Sequence, residues 1–358
     1  MKRQLVVRSS DKALDRKYPR VTQFEMMGTE CVFGWSDAPS VPADLESDEL
    51  VVEVTAFSVN YRDRAHTWDK ALRLNAAAGA SWAPFGSEFC GTVVALGGEE
   101  SNHLLGKRVI GRNDFDPDGT FPQGVTTNGA SRRYLTLKAT RVAEIPEALS
   151  EAEACTFGLA AQTAASMVRR GQVKEGARVL VTGGNSHTSR FIAQMALYAG
   201  AEVTILSRGE SKWPYIHEIG QWQDLASFME RVPGRDTRFD AVLDPFIDVY
   251  AGVAMPFLKA DGIYVTCGFA NQIPSPGNES LLRDVIIPAM VRCARIEVNA
   301  IGKREDLDRA LRALSEGALK CPTPQEYTEE SADQFLRESF GIEPAAHRPV
   351  LRYANTES

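Results

Sequence analysis

The chain has 358 residues, 44% of them hydrophobic, and a formal net charge of −7. That length suits two domains rather than one core. The acidic balance argues against a nucleic-acid partner, which needs basic excess to neutralise phosphates, and against a polybasic membrane dock.

No run of about 18 apolar residues occurs, so no transmembrane helix is expected. The start, MKRQLVVRSSDK, lacks the apolar stretch of a signal peptide. Cys31, Cys90, Cys155, Cys267, Cys293 and Cys321 are scattered, with no C-x-x-C pair. Reduced, mostly buried thiols in the cytoplasm are expected, not disulfides or a cysteine zinc site.

The first 149 residues read as β-rich. ELVVEVTAFSVN, GTVVALG, GKRVIG and RRYLTLKATRVAEIP are strand-like runs closed by Gly, Pro and Asn. The loop GRNDFDPDGTFPQGVTTNGA carries turn residues and no period, which suits a surface or site-lining segment. From Ser150 the texture changes. SEAEACTFGLAAQTAASMVRR predicts a helix opened by a Ser150/Glu153 capping box. ARVLVTG, AEVTILS, FDAVLDP and GIYVTCG then read as strands alternating with helical stretches, which predicts a parallel sheet with helices on both faces. SADQFLRESFG is a further helix, and HRPVLRY is a strand suited to return to the first domain.

Five stretches, in this order, resemble the medium-chain dehydrogenase/reductase superfamily, and most closely its zinc-free quinone-oxidoreductase and enoyl-reductase branch. They are SVNYRD (58–63), GSEFCGTVVALG (86–97), GVTTNGASRRYLTL, QTAASMV and VKEGARVLVTGG. The resemblance implies an α/β chain. A GroES-like substrate domain spans 1–149 and is completed by 321–358, and a doubly wound Rossmann domain spans 150–320. It also implies a homodimer formed at the Rossmann sheet edge, here ARIEVNAIG, acting on a small molecule.

In the zinc-dependent branch a cysteine stands near position 60 and a Gly-His-Glu supplies a histidine. Asn60 and Ser87 stand there in this chain, and Glu88 alone cannot hold a metal, so no zinc is expected. Without a Lewis acid, hydride addition to a conjugated alkene is favoured over alcohol oxidation, because hydrogen-bond donors can stabilise the charge that spreads onto its carbonyl.

The expected cofactor is NADP(H). In GGNSHTS, Gly183 is retained for the tight turn, followed by Gly184, Ser186, His187 and Thr188. Ser186, Thr188 and Ser189 are expected to offer hydroxyl donors to phosphate, and the following helix its N–H groups and dipole. A decayed, relic turn is the other reading. Where NAD-binding forms place an acid, this chain has Ser207 and Arg208, with Lys212 close by, which suits a ribose 2′-phosphate or, failing that, ordinary surface charge. By the resemblance, Thr163 meets nicotinamide or its ribose, and Cys267, Gly268 and Phe269 follow the strand that meets the carboxamide. The catalytic candidates are Tyr61, as donor to an enolate or as packing, Asn60 beside it, and Asp63 as helix cap. The leading expectation is an NADPH-dependent reductase of an activated C=C bond or quinone. The alternative is a non-catalytic binding or scaffold protein with the same fold.

Overall fold

A computed structural model describes residues 2–77, 81–114, 124–211, 220–231, 234, 237–270 and 287–354. The chain divides into two compact units: residues 1–113, 125–159 and 322–358 form one, and residues 114–124 and 160–321 the other. The first border falls inside the helix Glu151–Arg170 and not at 149/150. Hydrogen bonds give the reason. Ser58 Oγ donates to the Cys155 carbonyl (3.2 Å), and the Leu159 N–H donates to Glu88 (2.7 Å), within the first unit. Within the second, Gln162 donates to the Lys303 carbonyl (2.9 Å), Ser166 to Asn299 (2.7 Å) and Arg169 to Asp306 (2.8 Å). Residues 114–124 join the second unit, where Asp114 bridges Gly124 and pairs with Arg304 at 2.9 Å. The rest of that loop, 115–123, lies outside the described residues.

The first unit is β-rich. Its strands are β1 (Arg3–Arg8), β2 (Arg20–Met26), β3 (Thr29–Asp37), β4 (Glu49–Ser58), β5 (Trp82–Ala83), β6 (Glu88–Leu96), β7 (Arg108–Gly111), β8 (Tyr134–Lys138), β9 (Val142–Glu144), β16 (Gln325–Tyr327) and β17 (Pro349–Arg352). One sheet runs β2-β3-β1-β5; the other runs β16-β17-β4-β6-β7-β9, with β8 also on β4. β17 pairs antiparallel with β4, Val350 against Ser58, so the chain's end does return to this unit. The core is aromatic: Phe57 packs edge-on against Phe85 (5.8 Å) and Phe335 (5.3 Å), and Phe33 against Phe85 (5.4 Å). Each such pair contributes about 0.5–1.5 kcal/mol beyond its buried area. Two helices of this unit are α1 (Tyr61–Ala76), directly after β4, and α8 (Ala332–Phe340), which ends at Gly341 in the left-handed region, φ 76°.

The second unit is a parallel sheet of β10 (Arg178–Thr182), β11 (Glu202–Ser207), β12 (Gln221–Asp224), β13 (Phe239–Asp244), β14 (Leu258–Thr266) and β15 (Arg295–Val298), in the order β12-β11-β10-β13-β14-β15. Its central strands are runs of buried apolar residues, as sheets covered on both faces require. The helix Glu151–Arg170 is α2, and the others are α3 (His187–Tyr198), α4 (Leu225–Met229), α5 (Ile247–Ala254), α6 (Ile287–Arg292) and α7 (Arg304–Ser315). The strand order reverses between β10 and β13. Ligands of such sheets bind beyond the carboxyl ends of the strands at this point. Among the described residues no helix is long and apolar enough to cross a membrane.

Candidate functional site

Two clusters carry the candidate residues, one in each unit. In the first, Asp63 accepts the Asn60 N–H (2.8 Å) and so caps α1. The Asn60 side chain turns away from the helix. Its Nδ2 donates to Ser87 Oγ (3.1 Å) and Glu88 Oε2 (2.8 Å), and its Oδ1 accepts from Arg348 (2.6 Å). Ser87 Oγ donates to Asp63 (2.7 Å). The buried Glu88 also accepts the Leu159 N–H and lies 3.6 Å from the Arg348 guanidinium. Burial pushes the Glu88 carboxyl up, and Arg348 opposes that shift. Tyr61, the first residue of α1, is 39% exposed, and the Arg64 guanidinium lies over its ring at 4.7 Å. Arg348 was not a sequence candidate. It stands 288 positions from Asn60, and only strand β17 on β4 brings it in.

In the second unit, β10 ends at Thr182 and the chain turns at Gly183, whose φ of +62° disfavours a side chain. A Cβ on Gly184 would come 2.5 Å from Ile205 and 2.8 Å from Trp222, so the turn lies tightly against β11 and β12. Ser186 is the N-cap of α3: its Oγ accepts the Ser189 N–H (3.0 Å) and lies 2.7 Å from Ser189 Oγ, which donates to the Thr182 carbonyl (2.7 Å). Ser189 is therefore spent, and Ser186 Oγ–H has Ser189 Oγ as its acceptor. This corrects the expectation that both hydroxyls face a phosphate; they hold the turn and cap the helix instead. The half-buried His187 stacks edge-on against Phe191 (5.2 Å), and Thr188 is half-buried at the next position. The first N–H groups of α3 have no carbonyl one turn earlier in the helix.

Beneath this turn lies a group that strand reading alone passed over. Asp244, fully buried at the end of β13, accepts from the hydroxyls of Thr182 and Tyr264 and from the Phe246 N–H (2.8 Å). Burial, with Asp248 adding to it, pushes Asp244 up to about 6 against those three donors. A carboxylate at the carboxyl end of a parallel strand was the available signal. Burial and the Asp244 charge also push the Cys267 thiol up to about 12. Cys267 and Gly268 are half-buried after β14, where the Gly268 carbonyl accepts the Ile247 N–H (3.1 Å), and Phe269 is exposed. Ser207 is buried at the end of β11. Arg208 is exposed beside Tyr250, whose phenol burial pushes up and the guanidinium holds down. Asp224, the end of β12, accepts the Gly209 N–H (3.2 Å) and the Ser227 N–H (3.2 Å). Thr163 is buried on α2. Lys212 lies outside the described residues. Among the described residues no three of His, Cys, Asp and Glu gather closely enough to hold a metal ion.

Comparison with known proteins places these clusters in context. Residues 46–147 match the alcohol dehydrogenase GroES-like domain. The chain is 28% identical over 170 residues to the trans-enoyl reductase himH of Aspergillus japonicus, covering 45% of this chain and 47% of that protein. It is 31% identical over 195 residues to a zinc-type alcohol dehydrogenase-like protein of Schizosaccharomyces pombe, covering 50% and 54%. The chain thus spans about half the length of these curated relatives. The CurK enoyl reductase structure superposes with a TM-score of 0.71 at 18% identity, covering 98% of this chain and 100% of that one, a likeness of fold.

Proposed function

We propose that the chain is a medium-chain dehydrogenase/reductase, and that it is a zinc-independent, NADPH-dependent oxidoreductase that reduces an activated C=C bond of an enone, enoyl or quinone-type substrate. The observation that carries the reading is the strand–turn–helix at the sheet's switch point. Gly183 is left-handed there, and α3 presents its N-terminus to an anion. Gly183, Gly184 and the backbone of Ser186, His187 and Thr188 would hold the pyrophosphate. Ser207 and Arg208 would hold the 2′-phosphate. Thr163 and the Cys267–Phe269 backbone would hold the nicotinamide end. NADPH, when bound, supplies the hydride.

Tyr61 is the proton donor of this reading. Its hydroxyl is carried on the first turn of α1, its ring is held under Arg64, and it can donate to a developing enolate. Asn60 and Asp63 hold that turn in place. The donor set around Asn60 does not fit zinc, which prefers thiolate, imidazole or carboxylate. The Asn60 amide and Ser87 hydroxyl are bound to each other, and Arg348 already brings positive charge to Glu88. Metal analysis should find well under one zinc per chain, and chelator should leave activity intact; stoichiometric zinc would overturn this part.

The decisive test is an NADPH fluorescence titration, followed by turnover of a small enone by wild type and Tyr61→Phe. Tight NADPH binding and a loss of turnover of about 10²-fold or more are expected. Absence of NADPH affinity would favour the scaffold reading, for which the spent serine hydroxyls are the supporting observation. A homodimer is part of the proposal: β15 is a sheet edge among the described residues, and Met290, Val291 and Val298 beside it are about 70% exposed. The six free cysteines suit the cytoplasm.

A further inference from the structure

The buried carboxyl of Asp244 stands between an apolar layer and the turn at the start of α3. Leu180, Val242, Met255, Leu258 and the Tyr264 ring pack into one buried cluster. Thr182 and Asp244 follow Leu180 and Val242 by two residues, so their side chains continue the same face of the sheet toward the carboxyl ends of the strands. The carboxyl touches the turn from two sides. Thr182, whose hydroxyl donates to it, precedes Gly183, and the Thr182 carbonyl takes the Ser189 hydroxyl of α3 (2.7 Å). Phe246, whose N–H donates to it at 2.8 Å, lies with its ring 2.9 Å from where a Cβ on Gly183 would stand.

The elements packed against Asp244 bring it donors but, among the described residues, no ion pair. β10 contributes the Thr182 hydroxyl. β14 contributes the Tyr264 phenol, with the Cys267 thiol beyond it, and burial and the Asp244 charge push both of these up. The segment that enters α5 contributes the Phe246 N–H and a second acid, Asp248, which accepts the Ala270 N–H (2.6 Å). Arg208, after β11, acts on the Tyr250 phenol of α5 and makes no ion pair with Asp244. Burial, against its three donors, holds the Asp244 carboxyl at about 6, so both of its forms are accessible near neutral pH. A protonated carboxyl is itself a donor, and a hydroxyl both donates and accepts, so either Thr182 or Tyr264 can take the new bond.

We propose that Asp244 links cofactor affinity to protons: when a diphosphate binds at the start of α3, the Asp244 carboxylate takes a proton from solvent, and affinity falls as that carboxyl ionises. The inference rests on the cofactor reading of this turn. Its physical basis is like-charge repulsion across a buried contact. A diphosphate at the helix N-terminus adds negative charge on the outer side of Gly183, and the apolar layer on the inner side gives the carboxylate no water to disperse its own. The bound anion therefore favours the neutral acid. By reciprocity the neutral acid favours the bound anion by the same factor.

The test is calorimetric titration with NADPH in buffers of different ionisation enthalpy, which counts the protons taken up on binding. For about a ten-fold rise in proton affinity, wild type should take up about 0.4 proton at pH 7 and bind about five-fold more weakly at pH 8 than at pH 6. Asp244→Asn should lose that uptake and that pH dependence; titration of the 2′-phosphate is common to both proteins and cancels in the difference. His187→Gln should retain both, although an imidazole at the first position of α3 titrates in the same range. Tyr264→Phe removes one donor to the carboxylate and should move the fall in affinity to higher pH, which keeps the test available if Asp244→Asn does not fold. Equal uptake by wild type and Asp244→Asn, uptake lost in His187→Gln alone, or a pH profile unmoved in Tyr264→Phe overturns the link and leaves the cofactor reading standing. If NADPH does not bind, inorganic pyrophosphate is the probe. Uptake with pyrophosphate that Asp244→Asn loses keeps the link and removes the cofactor reading; binding of neither overturns both.

Discussion

At the start of α1, Asn60, Ser87 and Glu88 bind one another and a guanidinium from β17; at the start of α3, Ser186 and Ser189 bind one another and the Thr182 carbonyl. Both places hold polar side chains where the resemblance leads one to expect metal ligands or glycines. The first network is closed around a buried charge, so it needs a counter-charge, and Arg348 supplies it. The second is closed around neutral hydroxyls, so it needs no counter-charge and leaves the helix N-terminus to attract an anion from outside. A polar substitution can thus shut one kind of site and preserve another.

The contrast is broken most severely at Arg348. Arg348→Met leaves Glu88 buried without its cation and should cost about 3–5 kcal/mol in urea unfolding at pH 8. The Glu88 pKa is raised in the folded chain, so the stability tied to its proton is present at low pH and lost as pH rises. The variant's deficit should therefore narrow at pH 5.5; a deficit independent of pH would place its cause in lost packing.

Asp244 sharpens the comparison, because it is a buried carboxyl in the second unit with hydroxyl and amide donors and, among the described residues, no ion-pair partner. Its folded value of about 6 stands above its ordinary 3.8. The native state thus binds the proton more tightly between those values, and stability falls as pH rises through them. Relative to Asp244→Asn, wild type should lose on the order of 3 kcal/mol between pH 4 and pH 7. Parallel unfolding curves at both pH values would show that the carboxylate is solvated.

Ser186→Asp keeps a good N-cap but sets a negative charge where the pyrophosphate is proposed to lie. NADPH affinity should fall by about 100-fold with thermal stability unchanged, since like charges in contact cost several kcal/mol. Tight binding untouched by the aspartate would place the cofactor elsewhere. The smallest effect is expected at the exposed Arg208: Arg208→Ala should weaken NADPH by about ten-fold through loss of one charge-assisted contact and leave NADH nearly unchanged. Equal wild-type affinity for the two cofactors would refute the reading of this loop.

Local pattern was enough for the elements that carry these groups. Alternating and continuous apolar runs marked β4, β6 to β11, β13, β14 and β17 but not β1, β2, β3, β5, β12 or β16, Ser150 with Glu153 marked the start of α2, and Gly183 marked the turn. These signals rest on backbone geometry and on which face a side chain presents, both of which act within a few residues. The uses of the side chains were decided elsewhere. Ser186 and Ser189 read as phosphate donors until the Thr182 carbonyl, at the end of the preceding strand, was seen to take the Ser189 proton. Asp244 read as the end of a strand until Thr182 and Tyr264 closed on it from neighbouring strands. Arg348 reaches Asn60, and Lys70 reaches Asn128, across 288 and 58 positions. A hydrogen bond or a buried charge depends on which groups meet within about 3 Å, and strand pairing, not spacing along the chain, determines who meets.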